Sequence, residues 1–122
     1  MYFPVSAWFA AFVLTVAIEG PIVWFLLRRR EPNVLRLGLL LLFANLVTHP
    51  AVWFIFPQLL LVGTVTYTLV VETWAAAAEA LFYGVTVRGV SARRALGVAV
   101  AANGVSFLAG EVIGELWPEV FR

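Results

Sequence analysis

Four polar residues lie inside long apolar stretches of the chain, each nine positions from an arginine. Two of them are glutamates that precede their arginine, and two are asparagines that follow it. A hydroxyl residue stands three positions after each asparagine, so the same pattern occurs twice along the chain. The first copy is Glu19, Arg28, Arg36, Asn45 and Thr48, and the second is Glu79, Arg88, Arg94, Asn103 and Ser106.

The polar side chains of this pattern suit the binding of a cation or a proton. Carboxylate, amide and hydroxyl oxygens are ligands for hard cations such as Na⁺, Mg²⁺, Ca²⁺ and Mn²⁺. Two carboxylates in a site of low dielectric repel each other's charge, which favours proton exchange. We therefore predict a site formed by Glu19, Asn45, Thr48, Glu79, Asn103 and Ser106.

A structural role is the alternative for these residues. Protonated glutamates bonded to asparagines would join helices, each contact contributing roughly 0.6 kcal/mol. An ionisable group at bilayer depth, however, costs about 2.5–3.5 kcal/mol, a cost that a purely structural bundle has no need to carry. The balance favours a functional site.

A second group of ionisable residues, His49, Glu72 and Glu111, lies one or two helical turns beyond the repeated residues. The repeat places aromatic residues at the equivalent positions, which are Phe107, Phe12 and Trp53. The group predicts a polar track that leads from the central site toward one side of the membrane. Alternatively, the same three side chains could bind a metal ion, although no spacing requires it.

These residues must be positioned by helices in an apolar environment. The chain is 63% hydrophobic and 12% charged, with a mean hydropathy of +0.98, whereas soluble domains are about half apolar and a quarter charged. This composition excludes a soluble globular domain, a disordered chain and a nucleic-acid-binding protein. It predicts one transmembrane domain over residues 1–122 with spans at about 4–27, 34–56, 61–87 and 93–116.

The predicted fold is an all-α membrane protein of four helices, arranged as two antiparallel hairpins. Short connections make neighbouring helices antiparallel, and the repeat predicts a pseudo-twofold axis along the membrane normal. Nine residues at 1.5 Å rise place the polar side chains roughly 13 Å from the arginines, near the bilayer middle. The two glutamates and two asparagines should therefore form one ring.

The arginines predict the orientation of the chain. Seven of the eight lie in or beside segments 28–36 and 88–94. The positive-inside rule places these segments in the cytoplasm, with both termini outside. The polar track then leads outward from the ring.

Catalysis is not indicated by any motif. The chain has no His-Glu-x-x-His or Gly-x-Ser-x-Gly sequence, one histidine and no cysteine. The sequence does not identify a cofactor: a cation held by oxygen ligands would suit the polar residues, and a single histidine does not favour haem. An intramembrane metalloenzyme is the least favoured of the alternatives.

The stretch Asn45-Leu46-Val47-Thr48-His49-Pro50, followed by Glu72, Glu79 and Asn103-x-x-Ser106, resembles a pattern in short bacterial membrane proteins. Those proteins have four helices and no assigned activity. The resemblance implies a location in a bacterial inner membrane, and it supplies no functional residue.

The leading hypothesis is a small membrane protein that binds or translocates a cation or proton. Four helices are few to enclose a pathway, so we expect a homo-oligomer. Small residues in the fourth span, Gly97, Gly104, Gly110 and Gly114, are typical of a closely packed helix. The alternative function is an accessory subunit whose polar face docks onto a larger membrane complex.

Overall fold

The computed structural model describes residues 4–122, which form helices and no strand. The α-helices are α1 (Val5–Leu27), α2 (Val34–Pro50), α3 (Phe56–Leu59), α4 (Val65–Thr86) and α5 (Ala92–Leu116). A π-helical turn, Ala51–Ile55, joins α2 to α3, and a 3₁₀ turn, Pro118–Phe121, follows α5. Because Pro50 has no N–H group, the regular hydrogen-bond ladder is interrupted where the π-helical turn begins.

Within residues 4–122, three helical segments are long and apolar enough to cross a membrane. They are Val5–Leu27, Val34–Leu59 and Ala92–Leu116. Helix α4 has 22 residues, but Glu72, Glu79 and its four threonines reduce its hydropathy. The prediction of four apolar spans is thus confirmed for three, and the exception is α4, in which Glu72 and Glu79 both lie well inside the helix.

Helices α2 and α5 begin with equivalent N-caps. The Asn33 side chain accepts a hydrogen bond from the Arg36 backbone N–H at 3.0 Å, and Ser91 Oγ accepts one from the Arg94 N–H at 3.1 Å. Each cap satisfies an N–H group that the helix itself leaves unpaired. The caps stand three residues before the repeated arginines, so the repeated pattern includes the helix starts.

The four long helices form a ring in which α1 and α4 each pack against both α2 and α5. Ten buried apolar residues form a core that we call the apolar plug. They are Val23, Leu27, Leu37, Leu41, Ala44, Tyr83, Val87, Ala95, Val98 and Ala102. Every one of them lies in the chain between a repeated arginine and a repeated glutamate or asparagine. The plug therefore fills the bundle between the polar residues and the arginines.

Two arginines connect the helix ends beside the plug. Arg36 Nη2 donates to the Thr86 carbonyl at 3.0 Å, and Arg94 Nη2 donates to the Leu26 carbonyl at 2.7 Å. Thr86 and Leu26 lie in the last turns of α4 and α1, where free carbonyl groups favour a cation. We call this side of the molecule the arginine end and the opposite side the far end.

Three of the glycines in α5 do not make the close contacts that the sequence predicts. A Cβ atom at Gly97, Gly104 or Gly110 would have nothing within 4 Å. The close approach lies elsewhere on the helix, where a Cβ at Gly84 of α4 would be 3.7 Å from that of Ala95. Within the chain the prediction was wrong for these three glycines, because the small residue of α5 that lies against Gly84 is Ala95.

Candidate functional site

Glu19 on α1 is completely buried and accepts hydrogen bonds at both carboxyl oxygens. Its exposed fraction is 0%. Asn45 Nδ2 on α2 donates to Oε2 at 2.9 Å, and Ser106 Oγ on α5 donates to Oε1 at 3.0 Å. The carboxyl group thus joins α1 to both neighbouring helices.

Glu79 on α4 has an equivalent environment, with an exposed fraction of 1%. Asn103 Nδ2 on α5 donates to Oε2 at 2.8 Å, and Thr48 Oγ1 on α2 donates to Oε1 at 3.2 Å. All six residues predicted as the ion or proton site are therefore brought together in two bonded clusters. In each cluster the asparagine comes from the next long helix along the chain, and the hydroxyl from the other pair of helices.

The asparagine amides are fixed in orientation by a second bond. Asn45 Nδ2 also donates to the Leu41 carbonyl at 3.2 Å, and Asn103 Nδ2 donates to the Ala99 carbonyl at 2.9 Å. An amide nitrogen has two hydrogens, so both are used. Oε2 of each glutamate is consequently held as an acceptor, and a proton on either carboxyl group belongs on Oε1.

The hydroxyl groups each face two acceptors with one hydrogen. Thr48 Oγ1 lies 3.2 Å from Glu79 Oε1 and 3.2 Å from the Ala44 carbonyl. Ser106 Oγ lies 3.0 Å from Glu19 Oε1 and 3.1 Å from the Asn103 carbonyl. A hydroxyl that donates to the backbone can accept a hydrogen bond from a protonated carboxyl. Both clusters therefore accommodate an ionised and a protonated glutamate.

A cavity of about 550 Å³ lies on one side of the two clusters. Its inner lining includes the four bonding partners of the glutamates, which are Asn45, Thr48, Asn103 and Ser106. Every lining residue falls on the far-end side of the repeated glutamates or level with the asparagines. The cavity thus leads from the clusters toward the far end, while the apolar plug fills the other side.

The predicted track residues His49, Glu72 and Glu111 all line this cavity. Glu72 lies close enough to Glu19 and Glu111 for the charges of their carboxyl groups to interact. In the part of the chain that the structure describes, no three His, Cys, Asp or Glu side chains are grouped so that they could hold a metal ion. The geometry therefore gives no support to the alternative of a metal bound by His49, Glu72 and Glu111.

His49 is held mainly by aromatic rings. Phe12 meets it edge-on at a centroid distance of 5.7 Å, and Trp53 stacks on it at 6.3 Å. Its Nε2 lies 3.4 Å from Thr15 Oγ1, whereas the buried Nδ1 has no hydrogen-bond partner among residues 4–122. Phe12 and Trp53 are the aromatic counterparts of Glu72 and Glu111 in the repeat, so one copy supplies rings where the other supplies carboxylates.

Sequence reasoning missed three residues near the site. Thr15 bonds to His49, and Glu115 lines the cavity one turn beyond Glu111. Tyr83 is completely buried in the plug, one turn from Glu79, and its Oη has no partner within residues 4–122. Their spacing of four residues from Glu19, Glu111 and Glu79 was the signal available in the sequence.

No protein-family model, curated protein or solved structure matches this chain.

Proposed function

We propose that the protein spans a membrane with four helices and passes protons through the Glu19–Glu79 pair. One observation carries this proposal. Two completely buried carboxyl groups each combine a fixed amide donor with a hydroxyl that can either donate or accept. Because each carboxyl group finds partners in both protonation states, it can gain or lose a proton without moving heavy atoms.

A proton suits the clusters better than a metal cation. All four carboxyl oxygens already accept a hydrogen bond from a side-chain donor. A metal ion bound to those oxygens would face the hydrogens of the asparagine amides, whose positive ends repel it. A proton on Oε1 needs only a rotation of the Thr48 or Ser106 hydroxyl. We therefore favour a proton over a metal cation as the species that this site binds.

The cavity and the plug define the proton path. From the far end, water in the cavity reaches the residues that bond to the glutamates. Beyond the glutamates the apolar plug excludes water, and the Tyr83 hydroxyl is buried within it. Because the Tyr83 Oη has no hydrogen-bond partner within residues 4–122, a proton that moves from the glutamates toward the arginine end needs a water molecule or a side-chain movement to cross the plug.

The arrangement as two hairpins with a pseudo-twofold axis is supported by bonds that recur at equivalent positions. They are the asparagine–glutamate, hydroxyl–glutamate, arginine–carbonyl and N-cap bonds. Helix α4 completes the ring of long helices and is itself long enough to span with some tilt. Its glutamates face inward, which offsets its lower hydropathy.

The arginine bias supports an orientation with the arginine end in the cytoplasm and both termini outside. The cavity then opens outward. With the resemblance to short bacterial proteins, this supports a multi-pass location in a bacterial inner membrane, with the lipid bilayer as the surrounding partner.

A homodimer is the oligomeric state that the surface of α5 favours. Gly97 and Gly104 are exposed and two turns apart, with Ala101 between them. Small residues at this spacing let helices approach closely in a membrane. The glycines that contact nothing within the chain would then pack against a second copy. Chemical crosslinking should therefore give a dimer for the wild type and mainly monomer for Gly104→Ile.

Proton flux into liposomes tests the function. Vesicles that contain a pH-sensitive dye and the purified protein are given a potassium diffusion potential with valinomycin. The wild type should acidify the interior faster than empty vesicles, and Glu19→Gln or Glu79→Gln should reduce that rate to the empty-vesicle level. Glu119→Gln, an exposed residue beyond α5, is the matched control and should keep the wild-type rate.

Wild-type flux no greater than that of empty vesicles would refute proton passage, and so would wild-type flux in both glutamine variants. In either case the accessory-subunit hypothesis becomes the better one, and proteins that co-purify would identify the complex.

A further inference from the structure

The cavity is much larger than a proton path requires. Its volume of about 550 Å³ falls within the range of small-molecule sites, about 300–1,000 Å³. A water molecule in the liquid takes up only about 30 Å³. The space therefore fits an organic molecule as well as water.

The charge of the lining is one-sided. Glu72, Glu111 and Glu115 line the cavity, and none of the lining residues in the described chain is an arginine. Within residues 4–122 the one ion pair joins Glu31 to Arg36 at the arginine end. The three cavity carboxylates thus have no basic partner, and they favour a positively charged occupant.

Aromatic rings supply the rest of the recognition surface. Trp53, Phe107, Tyr67 and Phe121 line the same cavity. The faces of such rings attract ammonium groups and also pack against apolar surfaces. Tyr67 is held in place by its Oη, which donates to the Val52 carbonyl at 3.0 Å, so part of this surface is preorganised.

We infer that the cavity binds an organic ammonium cation with an apolar body, its charge near Glu72 and Glu111 and its body against the rings. The one-sided charge selects the cation, and the aromatic lining selects an organic cation over a hydrated metal ion. Glu19 and Glu79 do not line the cavity. Binding is therefore separable from the proposed proton transfer.

Calorimetric titration of the full chain in zwitterionic lipid nanodiscs tests this inference, with empty nanodiscs as the background. The probes are phenyltrimethylammonium and N,N-dimethylaniline, which has the same ring with one methyl group fewer and is uncharged at neutral pH. The cation should bind saturably at one site per chain and at least about tenfold more tightly than the neutral amine, a difference of about 1.4 kcal/mol.

Glu72→Gln and Glu111→Gln should each weaken cation binding by about three- to tenfold, an effect in the range of a single charge contact. Glu119→Gln should leave it unchanged. Glu79→Gln should also leave it unchanged, even where that variant has lost proton flux, so the two proposals fail independently. Trp53→Phe keeps a ring and should retain binding, whereas Trp53→Leu should weaken it, with circular dichroism showing that both variants fold.

Three results would overturn the inference. They are no saturable binding of the cation to wild type, equal binding of the neutral amine, and unchanged affinity in the folded Glu72 and Glu111 variants. Equal binding of the neutral amine would identify the cavity as a general apolar pocket, such as one for lipid chains.

Discussion

The half of the bundle at the arginine end (the arginine half) and the half at the far end (the far half) differ in how closely the two copies of the repeat match. In the arginine half, equivalent positions of the two copies make equivalent bonds, from the N-caps to Arg36–Thr86 and Arg94–Leu26. In the far half the two copies differ: the repeat position occupied by His49 in the first copy is occupied by Phe107 in the second. The arginine half is closed by the apolar plug, and the far half contains the cavity.

This difference suggests that the two halves have different roles. Bonds that occur twice close the bundle and hold the glutamates, so they should matter for stability in both copies. Residues that have no matching residue in the other copy line the cavity. They should affect which molecules enter it more than they affect stability.

The largest loss of stability should come from the asparagines. Asn45→Leu or Asn103→Leu leaves Oε2 of a buried glutamate without its donor, which should reduce the free energy of unfolding by about 1–3 kcal/mol. Because their environments are equivalent, the two variants should lose similar amounts in thermal unfolding in detergent. A loss confined to one asparagine would contradict the equivalence of the clusters.

Hydroxyl removal should have the next largest effect. Thr48→Val keeps the shape of the side chain but removes the bond to Glu79 Oε1, and should cost about 1 kcal/mol. Thr48→Ser keeps the hydroxyl and should recover proton flux that Thr48→Val loses. If Thr48→Val retains full flux, the hydroxyl is not needed for proton exchange.

The arginine bonds should contribute less because they are exposed. Arg36→Gln and Arg94→Gln each remove a bond to a helix-end carbonyl, which should cost about 0.5 kcal/mol, and Arg36→Gln should cost slightly more because it also removes the exposed ion pair with Glu31. The bonds lie on different helix pairs, so the double variant should lose the sum of the two. Arg122→Gln, at the end of the chain, serves as the control and should unfold like wild type.

The smallest effect on stability should come from the far half. His49→Phe gives this position the same residue as its counterpart in the second copy, and it removes the unpartnered Nδ1. Stability should change by less than about 0.5 kcal/mol, since the ring still packs against Phe12 and Trp53. A large destabilisation would mean that the bond to Thr15 holds the far half together.

Much of the fold could be predicted from hydropathy and arginine position. The first span was expected to end at residue 27, where α1 ends, and the second and fourth were expected to begin within one residue of α2 and α5. The third was expected to start at 61, but α4 begins at Val65. Gly63 has a φ of +84° and Thr64 caps the helix by accepting from the Tyr67 N–H. That glycine and threonine were visible signals of a turn and a helix start.

The repeated spacing predicted which polar residues meet, but not their pairing. It could not assign Ser106 to Glu19 and Thr48 to Glu79, because that depends on how the two pairs of helices pack. The size of the cavity and the aromatic contacts of His49 also depend on packing between helices. Periodicity places a residue on a face, and only the packed structure shows what that face meets.

Infrared spectroscopy of the carboxyl groups tests the central claim most directly. Repulsion between two buried carboxylates predicts that, at neutral pH, the wild type has a protonated carboxyl band that shifts in D₂O. The band should change in Glu19→Gln and in Glu79→Gln, and it should stay unchanged in Glu119→Gln. A wild-type spectrum without this band at neutral pH, with both glutamates ionised, would contradict a pair that holds and passes a proton.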